Sequence, residues 1–109
     1  ATIALEFADG SIGTVHYFAN GGKAFAKERI EVFAGDAVLQ LDNFVSLRGF
    51  GWPNFNRSKL WRQDKGQDAC ASAFVEAVRE KTPAPIPSEE LFEVARVMVQ
   101  LANMQRSSG

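Results

Sequence analysis

In 109 residues the sequence has one cysteine and one histidine, and each scarcity removes a class of chemistry. Cys70 has no partner for an internal disulfide, and with His16 alone there is no cluster of soft ligands for structural zinc. Cys70 sits among Ala69, Ala71 and Ala73 on a stretch of helical pattern, with no cation beside it to favour a thiolate. It therefore reads as a small packing hydrophobe rather than a nucleophile. No apolar run approaches the roughly 18 residues of a membrane span, and the first residues have neither the basic start nor the apolar centre of a signal peptide. The expected address is cytoplasmic, with no membrane contact. A formal net charge of -1 gives no general attraction to nucleic acid. Also absent are Gly-x-Gly-x-x-Gly, a Walker-type loop, His-Glu-x-x-His and Gly-x-Ser-x-Gly, so the chain shows no catalytic motif of its own.

What is present suits one folded domain over residues 1–109, since hydrophobic residues make up 46% and charged residues 23% of the chain. The pattern changes at Gln63-Asp64-Lys65-Gly66. Before it, apolar and polar residues alternate in short runs broken by glycine. After it, apolar residues recur every three or four positions. The fold class expected is α+β, with a mainly antiparallel open sheet of five to six strands (residues 1–62) and two helices (about 66–80 and 88–105) packed on one face.

In chain order, Asp9-Gly10 predicts a two-residue hairpin turn in which residues 8 and 11 pair. That register places Ile3, Leu5, Phe7, Ile12, Thr14, His16 and Phe18 on one face. Thr2, Ala4, Glu6, Val15 and Tyr17 fall on the other, which is too apolar for a solvated surface and predicts a covering partner. His16 then reads as a core or interface histidine. Asn20-Gly21-Gly22-Lys23 is a connector whose exposed amides can meet a ligand. A second hairpin, 28–34 with 37–41 through Gly35-Asp36, gathers Ile30, Val32, Ala34, Ala37, Leu39 and Leu41 and sets Arg29 against Asp42. Residues 44–50 give a fifth strand and Ser58–Arg62 a short edge strand.

Between them, Trp52, Phe55 and Trp61 interleave with Arg57, Lys59 and Arg62. Such a pattern suits stacking on single-stranded nucleic acid or packing of a long connection, and so few cations in a chain of net charge -1 favour packing. Beyond the hinge, Cys70, Phe74, Ala77 and Val78 form one helical stripe, with Asp64 as its expected cap. Three alternating prolines at 83, 85 and 87 then separate it from a second helix. Ser88 is the expected cap there, with Glu89 and Glu90 in the first turn and a stripe of Leu91, Ala95, Met98 and Ala102.

The whole chain, in order, resembles the C-terminal part of the glucose-fructose oxidoreductase, inositol dehydrogenase and MocA family of NAD(P)-dependent sugar and cyclitol dehydrogenases. The resemblance runs through Phe7-Ala8-Asp9-Gly10-Ser11-Ile12-Gly13, Lys27-Glu28-Arg29-Ile30-Glu31-Val32-Phe33, Leu41-Asp42-Asn43-Phe44, Gln63-Asp64-Lys65-Gly66 and Ala73-Phe74-Val75-Glu76-Ala77-Val78. It implies an N-terminal Rossmann domain upstream that binds NAD or NADP, and a chain that here begins inside a structured region. It also implies a sugar-like substrate and a homo-oligomer formed through the sheet face, with Thr2, Ala4, Val15 and Tyr17 at the interface. The family's catalytic Glu-Lys-Pro lysine and Asp/His pair have no counterpart in these residues, so no catalytic residue is assigned and this stretch alone is expected to be inactive. Asp64, Lys65 and Gln67 become substrate-side candidates, followed by Asn20 and Lys23. Gln67 stands where the family often has histidine. The alternative is a stand-alone small-molecule-binding or scaffold domain without catalysis.

Overall fold

A computed structural model describes residues 1–108. The chain is α+β and divides at the predicted hinge into two compact units, Ala1–Asp64 and the residues from Lys65 onward. All strands belong to the first unit and both helices to the second.

The strands form two open antiparallel sheets instead of one: a hairpin of β1 (Thr2–Glu6) and β2 (Ile12–His16), and a sheet in the order β3-β4-β5-β6. The larger sheet comprises β3 (Arg29–Ala34), β4 (Ala37–Asp42), β5 (Ser46–Phe50) and β6 (Arg57–Lys59). Twelve residues separate β2 from β3, and among the described residues no ladder joins the two sheets.

The first hairpin departs from its predicted register by one residue. Gly10 N–H donates to Phe7 C=O at 2.9 Å and Phe7 N–H to Ser11 C=O at 2.9 Å, which makes Ala8-Asp9-Gly10 a three-residue loop ending in a glycine bulge. Gly10 takes φ +85°, and the Asp9 carboxylate accepts the Ser11 N–H at 2.9 Å. That bond, backbone first, holds the Asp9 carboxyl below its ordinary pKa. Ile3 consequently faces Val15, Leu5 faces Gly13, and Thr2 faces His16. Because side chains alternate, the slip exchanges the faces of β2 relative to β1. Val15 and Tyr17 lie with Ile3 and Leu5, whereas Thr2 and Ala4 lie with Ile12, Thr14 and His16. Two contacts report the same arrangement: Thr2 Oγ1 is 3.1 Å from His16 Nδ1, and Phe7 reaches to 3.4 Å of the position a Gly13 Cβ would take. The four interface candidates thus divide between two faces.

The second hairpin follows its sequence reading. Gly35 and Asp36 both have positive φ, 54° and 61°, as a two-residue turn of matching twist requires, and Ala34 pairs with Ala37. Ile30–Leu41 and Val32–Leu39 pair on one face, and Arg29–Asp42 on the other. β5 adds Leu47 and Gly49 to the apolar face. The long connection after β5 folds back over Gly49, where a Cβ would lie 2.6 Å from Phe55 and 3.0 Å from Trp52. The Trp52 indole N–H is anchored on Val38 C=O at 3.1 Å. Two of the three predicted packing aromatics therefore pack; Trp61 does not.

In the second unit, α1 (Gln67–Glu80) and α2 (Ser88–Ser107) carry the predicted apolar stripes. Gly66, at φ 76°, occupies the N-cap of α1 and accepts the Cys70 N–H at 2.8 Å. Asp64 lies two residues before this cap, and Asp68 supplies the negative charge of the first turn. At the other end Thr82 N–H reaches Ala77 C=O and Lys81 N–H reaches Val78 C=O, a paired closure that forces Lys81 to φ 54°. Pro87, not Ser88, is the N-cap of α2, and the helix continues to Ser107, a turn's fraction beyond the expected end.

Apolar surface is little covered. Ala77, 8% exposed, is the one buried hydrophobic residue described, while Ile12, Tyr17, Phe33, Phe74, Phe92 and Met98 are exposed. Cys70 is exposed as well, together with the stripe it belongs to, so its expected packing role is not met within the described residues.

Candidate functional site

The sheet unit brings chemistry together at the β5–β6 end. Its starting point is Asp42, the last residue of β4. The register puts Arg29, Gln40 and Arg48 around it on one face. Arg29 Nε donates to Asp42 Oδ1 at 2.7 Å, Gln40 Nε2 donates to Oδ2 at 2.8 Å, and an Arg48 terminal nitrogen stands 3.5 Å from Oδ2. The Arg29 bond first, and the Gln40 bond second, hold the Asp42 carboxyl below its ordinary pKa. The cluster fixes the strand register with charge-assisted bonds.

After Asp42 the chain turns through Asn43 and Phe44, both at positive φ (52° and 53°). Asparagine tolerates this region, but for a bulky aromatic it is a strained conformation. Several bonds hold the turn in place. Val45 N–H donates to Asp42 C=O at 3.0 Å, and Asn43 N–H to Glu28 C=O at 2.7 Å. The Gln63 side-chain amide reaches both the Asn43 carbonyl, at 2.9 Å, and its side-chain oxygen, at 3.1 Å. Asp64 N–H bonds Phe44 C=O at 3.2 Å. The first half of the predicted hinge is therefore a clamp on the β4–β5 turn, a role that sequence spacing across 20 residues did not reveal.

Next to this turn is an open groove of about 500 Å³ lined by Val45, Lys59, Leu60 and Trp61. The Leu60 N–H bonds Val45 C=O at 2.9 Å and joins two of its lining residues. Trp61 is fully exposed, at 103% of its reference area. Along the β5–β6 ladder Arg48 stands directly opposite Arg57, and Ser46 opposite Lys59. In the sequence Arg57 and Lys59 belong with Arg62 to a weak nucleic-acid footprint, and Trp61 to the expected packing aromatics. The signal that they form one place is the pairing of β6 with β5.

The other candidates are distributed. Asp64 closes the sheet unit, Lys65 opens the helical one, and Gln67 is the first residue of α1, exposed. Asn20 and Lys23 are exposed in the connector between β2 and β3, where Phe25 N–H closes a turn on Gly22 C=O at 3.0 Å. No hydrogen bond or ion pair joins Asn20 or Lys23 to the Gln63–Asp64 segment among the described residues. Among those residues, too, no group of three or more potential metal ligands converges, and no helix is long and apolar enough to cross a membrane. No protein-family profile, curated protein or solved structure matches this chain.

Proposed function

We propose that this chain is the C-terminal, substrate-side and oligomerisation domain of a cytoplasmic NAD(P)-dependent dehydrogenase acting on a sugar or cyclitol hydroxyl. The reading rests on the ordered resemblance along the sequence. The observation that carries it furthest is the segment Gln63-Asp64, which leaves the sheet beside an open groove and is held there by three hydrogen bonds to a strained turn. Strain retained at a clamped turn is a common mark of a functional site.

In this reading the nicotinamide is bound by a Rossmann domain elsewhere in the protein. Asp64, Lys65 and Gln67 are the substrate-side candidates of this chain. Apolar side chains left exposed on the sheets and helices are covered by that domain and by a second subunit, since exposed apolar surface on this scale marks an interaction surface. When bound, the nicotinamide supplies the hydride acceptor; the residues here only position the polyol and exclude water.

The reading frame preceding Ala1 tests the proposal. A Gly-x-Gly-x-x-Gly followed about a hundred residues later by Glu-Lys-Pro is expected on the pattern of dinucleotide-binding domains. An in-frame stop immediately before Ala1 would leave the alternative, a stand-alone binding or scaffold domain.

A further inference from the structure

We infer that the β6 groove binds a sugar carrying an anionic group, a carboxylate or a phosphate, with the ring on the Trp61 indole and the anion on Lys59. The choice of a sugar rests on the dehydrogenase reading; the requirement for an anion rests on the charges alone.

The charges come first. Arg48 and Arg57 are directly opposite across β5 and β6, and Lys59 follows two residues along on the same face. Like charges placed opposite one another destabilise a sheet. The nearest carboxylate in the register, Asp42, already accepts from Arg29 at 2.7 Å and Gln40 at 2.8 Å and meets Arg48 only at 3.5 Å. Arg57 and Lys59 have no carboxylate partner among the described residues. An anion bound in the groove would give Lys59 a partner and offset the excess positive charge of this face.

The shape comes second. Lys59 lines a groove of about 500 Å³ whose remaining walls, Val45, Leu60 and Trp61, are apolar. One cation in an open groove with apolar walls and a fully exposed indole suits a small amphiphilic anion: the aliphatic face of a pyranose lies against the aromatic ring while its charged substituent meets the lysine. Charge on an edge strand also guards against edge-to-edge pairing. That role needs neither an indole held in solvent nor a Val45 wall set by a strained and clamped turn.

The test uses the 109-residue chain and the two indole N–H signals in a proton–nitrogen NMR spectrum. Trp52, bonded to Val38 C=O, is the internal reference. Glucuronate and glucose 6-phosphate are the probes, with neutral glucose and inorganic phosphate each carrying one half of the proposed recognition. At least one anionic sugar should shift the Trp61 signal saturably and leave Trp52 in place, and comparison of the two identifies carboxylate or phosphate. Lys59→Gln should weaken that binding about tenfold, the loss expected for one charge-assisted bond. Trp61→Ala should abolish it while the Trp52 signal persists. Equal affinity for inorganic phosphate, binding of glucose that Lys59→Gln leaves unchanged, or no shift at Trp61 with either probe would each overturn the proposal. None of these outcomes bears on the reading frame, so the site and the dehydrogenase reading fail separately.

Discussion

Replacing Asp42 by asparagine should destabilise the sheet unit in a way that depends on pH. The substitution keeps shape and one acceptor oxygen but removes the charge that two short bonds and a more distant arginine now share. The Asp42 side chain is 19% exposed and Arg29 47%, so solvent screens the pair considerably. A pair this exposed contributes up to about 1 kcal/mol, and the Gln40 bond to a charged acceptor adds a similar amount, so a loss of roughly 1–2 kcal/mol is expected at neutral pH. The folded-state pKa of Asp42 is lowered, chiefly by Arg29. Its stabilisation is therefore complete above the unfolded carboxyl pKa and is lost as pH falls through the folded value. Urea unfolding of both proteins across a pH series reads the difference directly. Asp9, whose pKa is also lowered, is present in both and cancels. The gap should be constant near neutrality and close in acid. A gap indistinguishable from zero at neutral pH, or one that persists unchanged in acid, would refute the reasoning.

Three further outcomes are expected. Gly49→Ala places a methyl group 2.6 Å from Phe55, and displacing that ring should cost roughly 1–3 kcal/mol in urea unfolding, with loss of the Trp52 indole shift. Lys81→Gly relieves a left-handed residue at the end of α1 and should raise stability by roughly 1 kcal/mol, measured by helical circular dichroism during denaturation. Sedimentation of the chain should show self-association that Val15→Glu weakens; a monomer at high concentration would count against an interface on the Ile3, Leu5, Val15 and Tyr17 face.

The two hairpins show how far the sequence was legible. Both contain glycine and aspartate at the turn, yet Gly35-Asp36 forms a two-residue loop and Asp9-Gly10 the end of a three-residue one. The second was readable because its flanks agree on both faces: apolar pairs on one side, and Arg29 against Asp42 on the other. In the first, the observed register does gather Ile3, Leu5 and Val15 apart from Thr2, Glu6, Thr14 and His16, but the two-residue turn read from Asp9-Gly10 hides that separation. The choice there lies with the Asp9 carboxylate, which captures the Ser11 N–H and favours the longer loop. One residue of slip then separates Thr2 and Ala4 from Val15 and Tyr17.

Helix existence and extent followed from periodicity and the proline-rich link, whereas caps did not. Gly66 and Lys81 take left-handed backbone at the two borders of α1, a demand that side-chain preference for Asp64 does not express. The candidate site was legible in part. The resemblance drew attention to Asp64, and composition to Arg57, Lys59 and Trp61, but their separate neighbourhoods emerge only from two long-range facts. β6 pairs with β5, and Gln63 reaches back 20 residues to Asn43. Neither leaves a periodic trace in the chain.

The most direct test of the central claim is steady-state kinetics on the protein that carries this chain at full length, following nicotinamide reduction with a panel of polyols and sugar acids. The account predicts NAD- or NADP-dependent oxidation. Asp64→Ala and Gln67→Ala should each raise KM for the polyol by about tenfold, the loss of a hydrogen bond to substrate, while leaving nicotinamide affinity unchanged. Absence of nicotinamide reduction with every substrate, or substitutions that leave the polyol KM untouched, would contradict it.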